Sequence, residues 1–287
     1  MGSLGIVYIN IGQYEKAIDL YQKSLEIFRQ IGALKEEGNL LILLGNAYGY
    51  LGQYQKSIDF YQRATVIVKQ IGDLANEGAT LMNLGIANYS LGKYQEAINF
   101  YQQSLAIYKQ IGNRYGESVT LGNLGNVYNN LGQYQKAIDF HQQSLVIAKK
   151  IGDHKGEAAS LNNLGGILYE RFGHYQKAID LFHQSLVIAK QIGDRDNEGN
   201  SLGNLGLSFS KLNQPELAIV YYKESINARE SIRKDIRGLS KSEQRSYLET
   251  VARAYKTLAD LLLKQGRVIE ALQILDQIGR ASCRERV

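Results

Sequence analysis

Apolar residues recur along this chain at the spacing of a helix face. Leu121, Leu124, Gly125 and Tyr128 fall at i, i+3, i+4 and i+7, one stripe of a 3.6-residue period. From Tyr134 a second stretch turns Ala137, Ile138, Phe140, Leu145 and Ile147 inward. Two helices are therefore predicted between Glu117 and Gly156, joined at Gly132, where a positive φ costs glycine little. Gly152 ends the second helix after Lys149 and Lys150, whose charges suit a helix C-terminus. Asp153 stands where it can cap the next helix. Gly125 omits a side chain where two backbones are expected to approach, and Ala137 is the small residue facing such a contact.

Slid by forty residues, this block nearly overlays itself, and a fixed period in that range marks stacked supersecondary units. The hinge glycine returns as Gly12, Gly52, Gly92 and Gly132, then as Gly173 after one extra residue within Tyr169–Gly173. Asn213 takes its place in the next copy, where Pro215 opens the second helix at a position that tolerates proline. Met1, Leu4, Gly5 and Tyr8 occupy the middle of a first helix, so the first unit is expected to be N-terminally truncated. Six units are read over residues 1–237, with copies two to six at 37–76, 77–116, 117–156, 157–197 and 198–237. After Ser231 the register changes. Tyr255, Leu258, Ala259, Leu262, Gly266 and Ala271 still fit, giving a divergent seventh unit over 238–277. An inserted turn at Ile236–Ser242 precedes it, with Ser240 or Ser242 as cap. The last ten residues, IGRASCRERV, are expected to break the helical pattern. They look like the translation of a sequencing adapter, a non-native tail in which Cys283 has no function.

Within each copy the pattern is L-x-x-L-G-x-x-Y-x-x-x-G-x-Y-x-x-A-x-x-x-Y/F; the second carries Leu41, Leu44, Gly45, Tyr48, Gly52, Tyr54, Ser57 and Tyr61. This resembles the tetratricopeptide repeat, with Leu where the family has Trp. The forty-residue period resembles the subclass shared by Pins-type scaffolds and kinesin light chains. The resemblance implies an all-α, right-handed α-α superhelix of about seven antiparallel helix pairs, its first helices lining a concave face. The segment IRKDIRGLSKSEQRSY…YKTLADLLLKQGRVIEALQILD is similar to the junction that joins such repeats to a CHAT domain in bacterial, especially cyanobacterial, proteins. That similarity implies a caspase-like effector beyond this chain, and no residue here corresponds to its His–Cys dyad.

Composition adds limits. The chain has no run of 18 apolar residues, so no membrane association is expected. No signal-peptide pattern precedes Met1, and a cytoplasmic location is expected. Of the net charge of +5, the last ten residues contribute +2, and the remainder is interspersed, which argues against nucleic acid as partner. His141, His154, His174 and His183 lack metal-ligand spacing, and no phosphate loop, G-x-S-x-G or paired-carboxylate motif stands out. No cofactor and no catalysis are expected. Tyr14, Tyr54, Tyr94, Tyr134 and Tyr175 follow the hinge at fixed phase, as inter-repeat packing does. Ser24, Ser104, Ser144 and Ser185 are small residues at close helix contacts.

The asparagines are different. Asn83, Asn123, Asn163 and Asn204 occur once per copy before the Leu-Gly pair, Asn46 and Asn126 follow it, and Asn130 extends the stripe. Asparagine inside a helix costs roughly 0.6 kcal/mol against alanine, so its recurrence asks for a reason. One reason is hydrogen bonding between repeats. The other is a ladder of amides, flanked by Tyr50 and Tyr89, that holds the backbone of an extended peptide. The family's groove asparagines imply the second, and both readings stand at this point. The expected function is a non-catalytic scaffold for a protein or extended peptide; the alternative is self-association into a homo-oligomer through the terminal repeats.

Overall fold

The computed structural model describes residues 2–233 and 241–283, and these are helical, with no strand among them. The helices are α1 (Gly2–Asn10), α2 (Tyr14–Gln30), α3 (Leu34–Tyr50), α4 (Tyr54–Gln70), α5 (Leu74–Ser90), α6 (Tyr94–Gln110), α7 (Arg114–Asn130) and α8 (Tyr134–Ile151). They continue with α9 (His154–Phe172), α10 (Tyr175–Ile192), α11 (Arg195–Lys211), α12 (Pro215–Arg233), α13 (Lys241–Lys264) and α14 (Val268–Cys283). The chain divides into two compact units, Met1–Asp153 and His154–Val287. Within each, an odd-numbered helix pairs with the even-numbered one after it, and the second helix of one pair packs on the first helix of the next.

The hinges form as the glycine spacing predicts. Gly52 sits at φ 70° and donates to the Gly49 carbonyl, while Gln53 N–H reaches back to Tyr48 O at 2.9 Å. These two bonds satisfy carbonyls that the end of a helix leaves open. Asn213 adopts the same left-handed conformation at φ 57°, which asparagine tolerates better than other side chains. At the fifth pair, His174 N–H bonds Leu168 O, six residues back, so the extra residue is absorbed in the last turn of α9. Asp73, Asn113 and Asp194 cap the following first helices by accepting from the N–H of Asn76, Gly116 and Asn197.

Two expectations are corrected. The glycine of the first helix makes room for a ring, not for a backbone: a Cβ built on Gly125 would lie 2.7 Å from the imidazole of His141. Gly45 faces Tyr61, Gly85 faces Tyr101 and Gly165 faces Phe182 in the same way. The helical pattern also does not end at Ile278, because the backbone of α14 continues to Cys283. The side chains of 278–283, Cys283 included, lie outside the described residues, as do residues 284–287. The inserted turn before Lys241 also lies outside them, and the caps placed at Ser240 and Ser242 have no described side chain.

Two devices recur along the chain. A buried serine near the end of the second helix donates to a carbonyl of the first: Ser104 to Gly78 O at 2.8 Å, Ser185 to Ala158 O at 2.8 Å, Ser225 to Gly199 O at 2.7 Å. A glutamate in the first turn of α3, α5, α7 and α11 is shielded from solvent beside a cation. Glu37 meets Arg29 at 2.7 Å and Glu77 meets Lys69 at 3.6 Å, both from the preceding helix. Glu117 and Glu198 instead use Arg114 and Arg195, three residues earlier on their own helices. A negative charge there also suits the helix N-terminus.

Candidate functional site

The face built by successive first helices carries most of the predicted asparagines. In the first unit α3 touches α5, and α5 touches α7. Asn83 on α5 donates from Nδ2 to Asn46 Oδ1 on α3 at 3.1 Å, and the same oxygen accepts from Tyr61 Oη at 2.6 Å. One amide oxygen thus joins two pairs. Burial pushes the Tyr61 phenol up to about 12, so it stays a neutral donor at physiological pH. Ser57 is fixed beside it by donating to Gly45 O at 2.7 Å.

These residues floor a pocket of about 300 Å³ lined by Asn46, Tyr50, Tyr54, Ser57, Tyr61 and Asn83. Tyr50 is half-exposed at its rim and is held by stacking on Tyr14, with ring centroids 5.3 Å apart and planes 20° from parallel. The bonds above use the oxygen of Asn46 and the amine of Asn83. They leave Asn46 Nδ2 and Asn83 Oδ1 as a donor and an acceptor for a ligand. The lining holds hydroxyls, amides and apolar atoms, without carboxylate, imidazole or thiol. Such a surface offers hydrogen bonds and ring contact to a ligand.

One step along, the pattern changes because Ile86 stands where Asn46 would. The equivalent of the Asn46–Asn83 bond cannot form, and Asn123 Nδ2 is buried without a partner. Nearby, Asn130 Nδ2 donates to Tyr89 Oη at 2.8 Å, and Asn129 Oδ1 is buried and unpartnered. Asn126 lies half-buried on the same helix. In the second unit Asn204 donates to Asn162 Oδ1 at 3.4 Å, and Asn162 donates to Ser185 and Ser201 hydroxyls at 3.0 and 2.8 Å. Asn204 therefore belongs to a closed structural network, while Asn163 beside it is half-buried.

The structure thus gathers Asn46, Tyr50 and Asn83 in one pocket, and Tyr89 with Asn130 at a second point of the first unit. Sequence reasoning missed Tyr61 and Ser57 as supports and Asn162 as a network centre. A position-by-position comparison of the copies holds the signal. Tyr61 meets Asn46, but Tyr21 has Ile6 at that place, and its hydroxyl is buried without a partner.

The histidines take structural places. His141 is fully buried in the ring position opposite Gly125, and burial lowers its pKa to about 4. His154 Nδ1 lies 3.5 Å from Glu157, and His183 Nε2 lies 3.5 Å from Tyr221 Oη. Among the described residues no group of His, Cys, Asp and Glu could hold a metal ion, and no helix is long and apolar enough to cross a membrane.

Comparison with known proteins returns no curated match. Solved structures do match. RapI in its apo form is 18% identical with a TM-score of 0.72, covering 99% of this chain and 97% of that one. A Rap protein complexed with Competence and Sporulation Factor is 13% identical with a TM-score of 0.67, covering 99% of this chain and 74% of that one. A putative kinesin light chain of Podosopora anserina is 20% identical with a TM-score of 0.53, covering 66% of this chain and 93% of that one. These likenesses establish the fold. A PPR repeat description matches residues 253–283. The description "Tetratricopeptide repeat" matches residues 1–70, 36–110, 117–191 and 166–231, most of the length over which the hinges, ring-facing glycines and paired helices recur. The chain is a member of the tetratricopeptide repeat family.

Proposed function

We propose that this protein is a non-catalytic binding scaffold that takes an extended peptide, or an extended segment of a protein, along the α3–α5–α7 face. The observation that carries this reading is the pocket between α3 and α5. It combines a stacked, half-exposed Tyr50 with one free amide donor and one free amide acceptor, the pair of groups a peptide backbone requires. The similar Rap protein complexed with Competence and Sporulation Factor supports this use of the fold. In the wider reading, the scaffold presents its partner to a CHAT-type effector in a bacterial cytoplasmic protein. The likeness of residues 232–277 to the CHAT junction supports it, and the coding sequence beyond this chain tests it.

The binding reading is tested with a peptide library against the wild type and Tyr50→Ala, Asn46→Ala and Asn83→Ala. Each asparagine change is expected to weaken binding by about 2- to 12-fold, the equivalent of 0.5–1.5 kcal/mol per lost hydrogen bond. Equal binding by all four proteins would overturn the site. Stability separates the two roles of the asparagines. Asn83→Ala breaks an inter-repeat bond and is expected to lower unfolding free energy by about 1 kcal/mol. Asn123→Ala removes a buried, unpartnered amine and is expected to leave stability unchanged or raise it by up to about 1 kcal/mol. Urea melts of the two variants check the contrast.

A further inference from the structure

Charge is absent from the helix stretches that form the peptide face. On α3, α5 and α7 the charged residues stand at the start of each helix: Lys35, Glu36 and Glu37, then Glu77, then Arg114 and Glu117. Glu37, Glu77 and Glu117 are paired there with Arg29, Lys69 and Arg114. Residues 38–50, 78–90 and 118–130, the rest of these three helices, contain no Asp, Glu, Lys, Arg or His. A charged side chain brought into the pocket between α3 and α5 would give up its water without meeting a counter-ion, a loss that an uncharged one avoids.

Within this neutral face Ile86 breaks the column of amides. Asn46 and Asn126 hold the same register on α3 and α7, and Asn46 shows what an amide does there: its Oδ1 accepts from Asn83 on the next first helix. That pair is 37 residues apart, and the same step back from Asn123 reaches Ile86, which has no acceptor to offer. Asn123 Nδ2 is left buried and unpartnered, an arrangement that destabilises the fold. What Ile86 provides instead is apolar surface. It is 40% exposed and lines the α3–α5 pocket together with Ala87 and the rings of Tyr50 and Tyr54.

We propose that Ile86 sets the specificity of this site: the bound segment is uncharged and seats one apolar or aromatic side chain against Ile86 and Tyr50, while Asn46 and Asn83 hold its backbone. The inference rests on the peptide-binding reading above and adds which side chain the pocket accepts. Charge complementarity selects the occupant. The lining offers ring faces, aliphatic carbons and neutral amides, and no counter-ion for a carboxylate, an ammonium or a guanidinium.

Short synthetic peptide pools test this, each with one fixed residue (Phe, Leu, Asp or Lys) among mixed Gly, Ala, Ser and Asn. Residues 1–287 and the variants Ile86→Asn and Ile86→Leu are compared by fluorescence anisotropy. The wild type is expected to bind the Phe and Leu pools about 10-fold more tightly than the Asp and Lys pools, the effect of burying one apolar side chain. Its affinity for them should not change with salt, because no ion pair forms. Ile86→Leu is expected to keep the preference and Ile86→Asn to reduce it to about 3-fold or less. Ile86→Asn also supplies an acceptor for Asn123, so it is expected to melt no lower than the wild type, which separates lost preference from lost fold. Equal binding of the four pools, a preference for Asp or Lys, or an undiminished preference in Ile86→Asn would each overturn the role of Ile86 and leave the peptide-binding reading standing. Binding of no pool by the wild type would overturn both.

Discussion

Between pH 6.5 and pH 4 the protein is expected to lose about 3 kcal/mol of stability through one side chain, His141. In the unfolded chain this imidazole titrates near 6.5; in the fold, burial against Gly125 holds it neutral down to about 4. Below 6.5 the unfolded state therefore binds a proton that the native state refuses, and stability falls as pH drops. Above 6.5 the contribution is constant. Asp194, where desolvation by burial is outweighed by hydrogen bonds from Asn197 so that its folded pKa is lowered, adds a loss of the same sign that grows as pH falls through its ordinary value of 3.8. Urea melts at several pH values check the slope, and His141→Tyr supplies the control. Tyrosine occupies this place in Tyr21, Tyr61 and Tyr101, and Asn126 stands where Asn46 accepts the Tyr61 hydroxyl. The variant is expected to be insensitive to pH across that window. A slope that persists in His141→Tyr would place the titration elsewhere.

Gly85→Ala is expected to cost about 1–3 kcal/mol, although alanine is the better helix former by about 1 kcal/mol. The added methyl would lie 2.4 Å from Cε1 of Tyr101, a ring that is fully buried and has nowhere to retreat. Gly166→Ala is the internal control: nothing lies within 4 Å of its Cβ position, so propensity alone should act and stability should rise. The second-site variant Gly85→Ala with Tyr101→Leu is expected to recover much of the loss. The chain already contains that solution, since Ala259 and Leu275 occupy the glycine and ring positions of the last pair. Thermal melts of the four proteins decide; a neutral Gly85→Ala would show that the ring is free to move.

Much of this architecture is legible in the sequence because it repeats. Gly52, Gly92 and Gly132 mark the hinges, and the one-residue slip before Gly173 is visible as a break in period. What was not legible depends on pairs of positions in different helices. Gly125 reads as a site of backbone approach until His141 is seen to fill it. The asparagines at 83 and 123 are identical in local pattern, yet one is bonded and the other orphaned, because residue 46 is Asn and residue 86 is Ile. The glutamate column from Glu37 to Glu198 escaped notice because the charges were read as a total, and its partners shift between preceding helix and own first turn. Tyr50 and Asn83 converge on one pocket for the same reason that the core clusters form: neighbouring copies bring positions about forty residues apart into contact.

That nearest-neighbour arrangement has a mechanical consequence. Among the described residues, contacts within each unit join neighbouring helices or like helices of adjacent pairs. Under tension from its two termini, such a molecule has no single clasp to break. It would yield from an end, releasing one hairpin of some forty residues at a time and lengthening on the order of 100 Å per step. When the load is removed, each hairpin would find its template in the neighbour still folded, which is how a spring behaves and a globule does not.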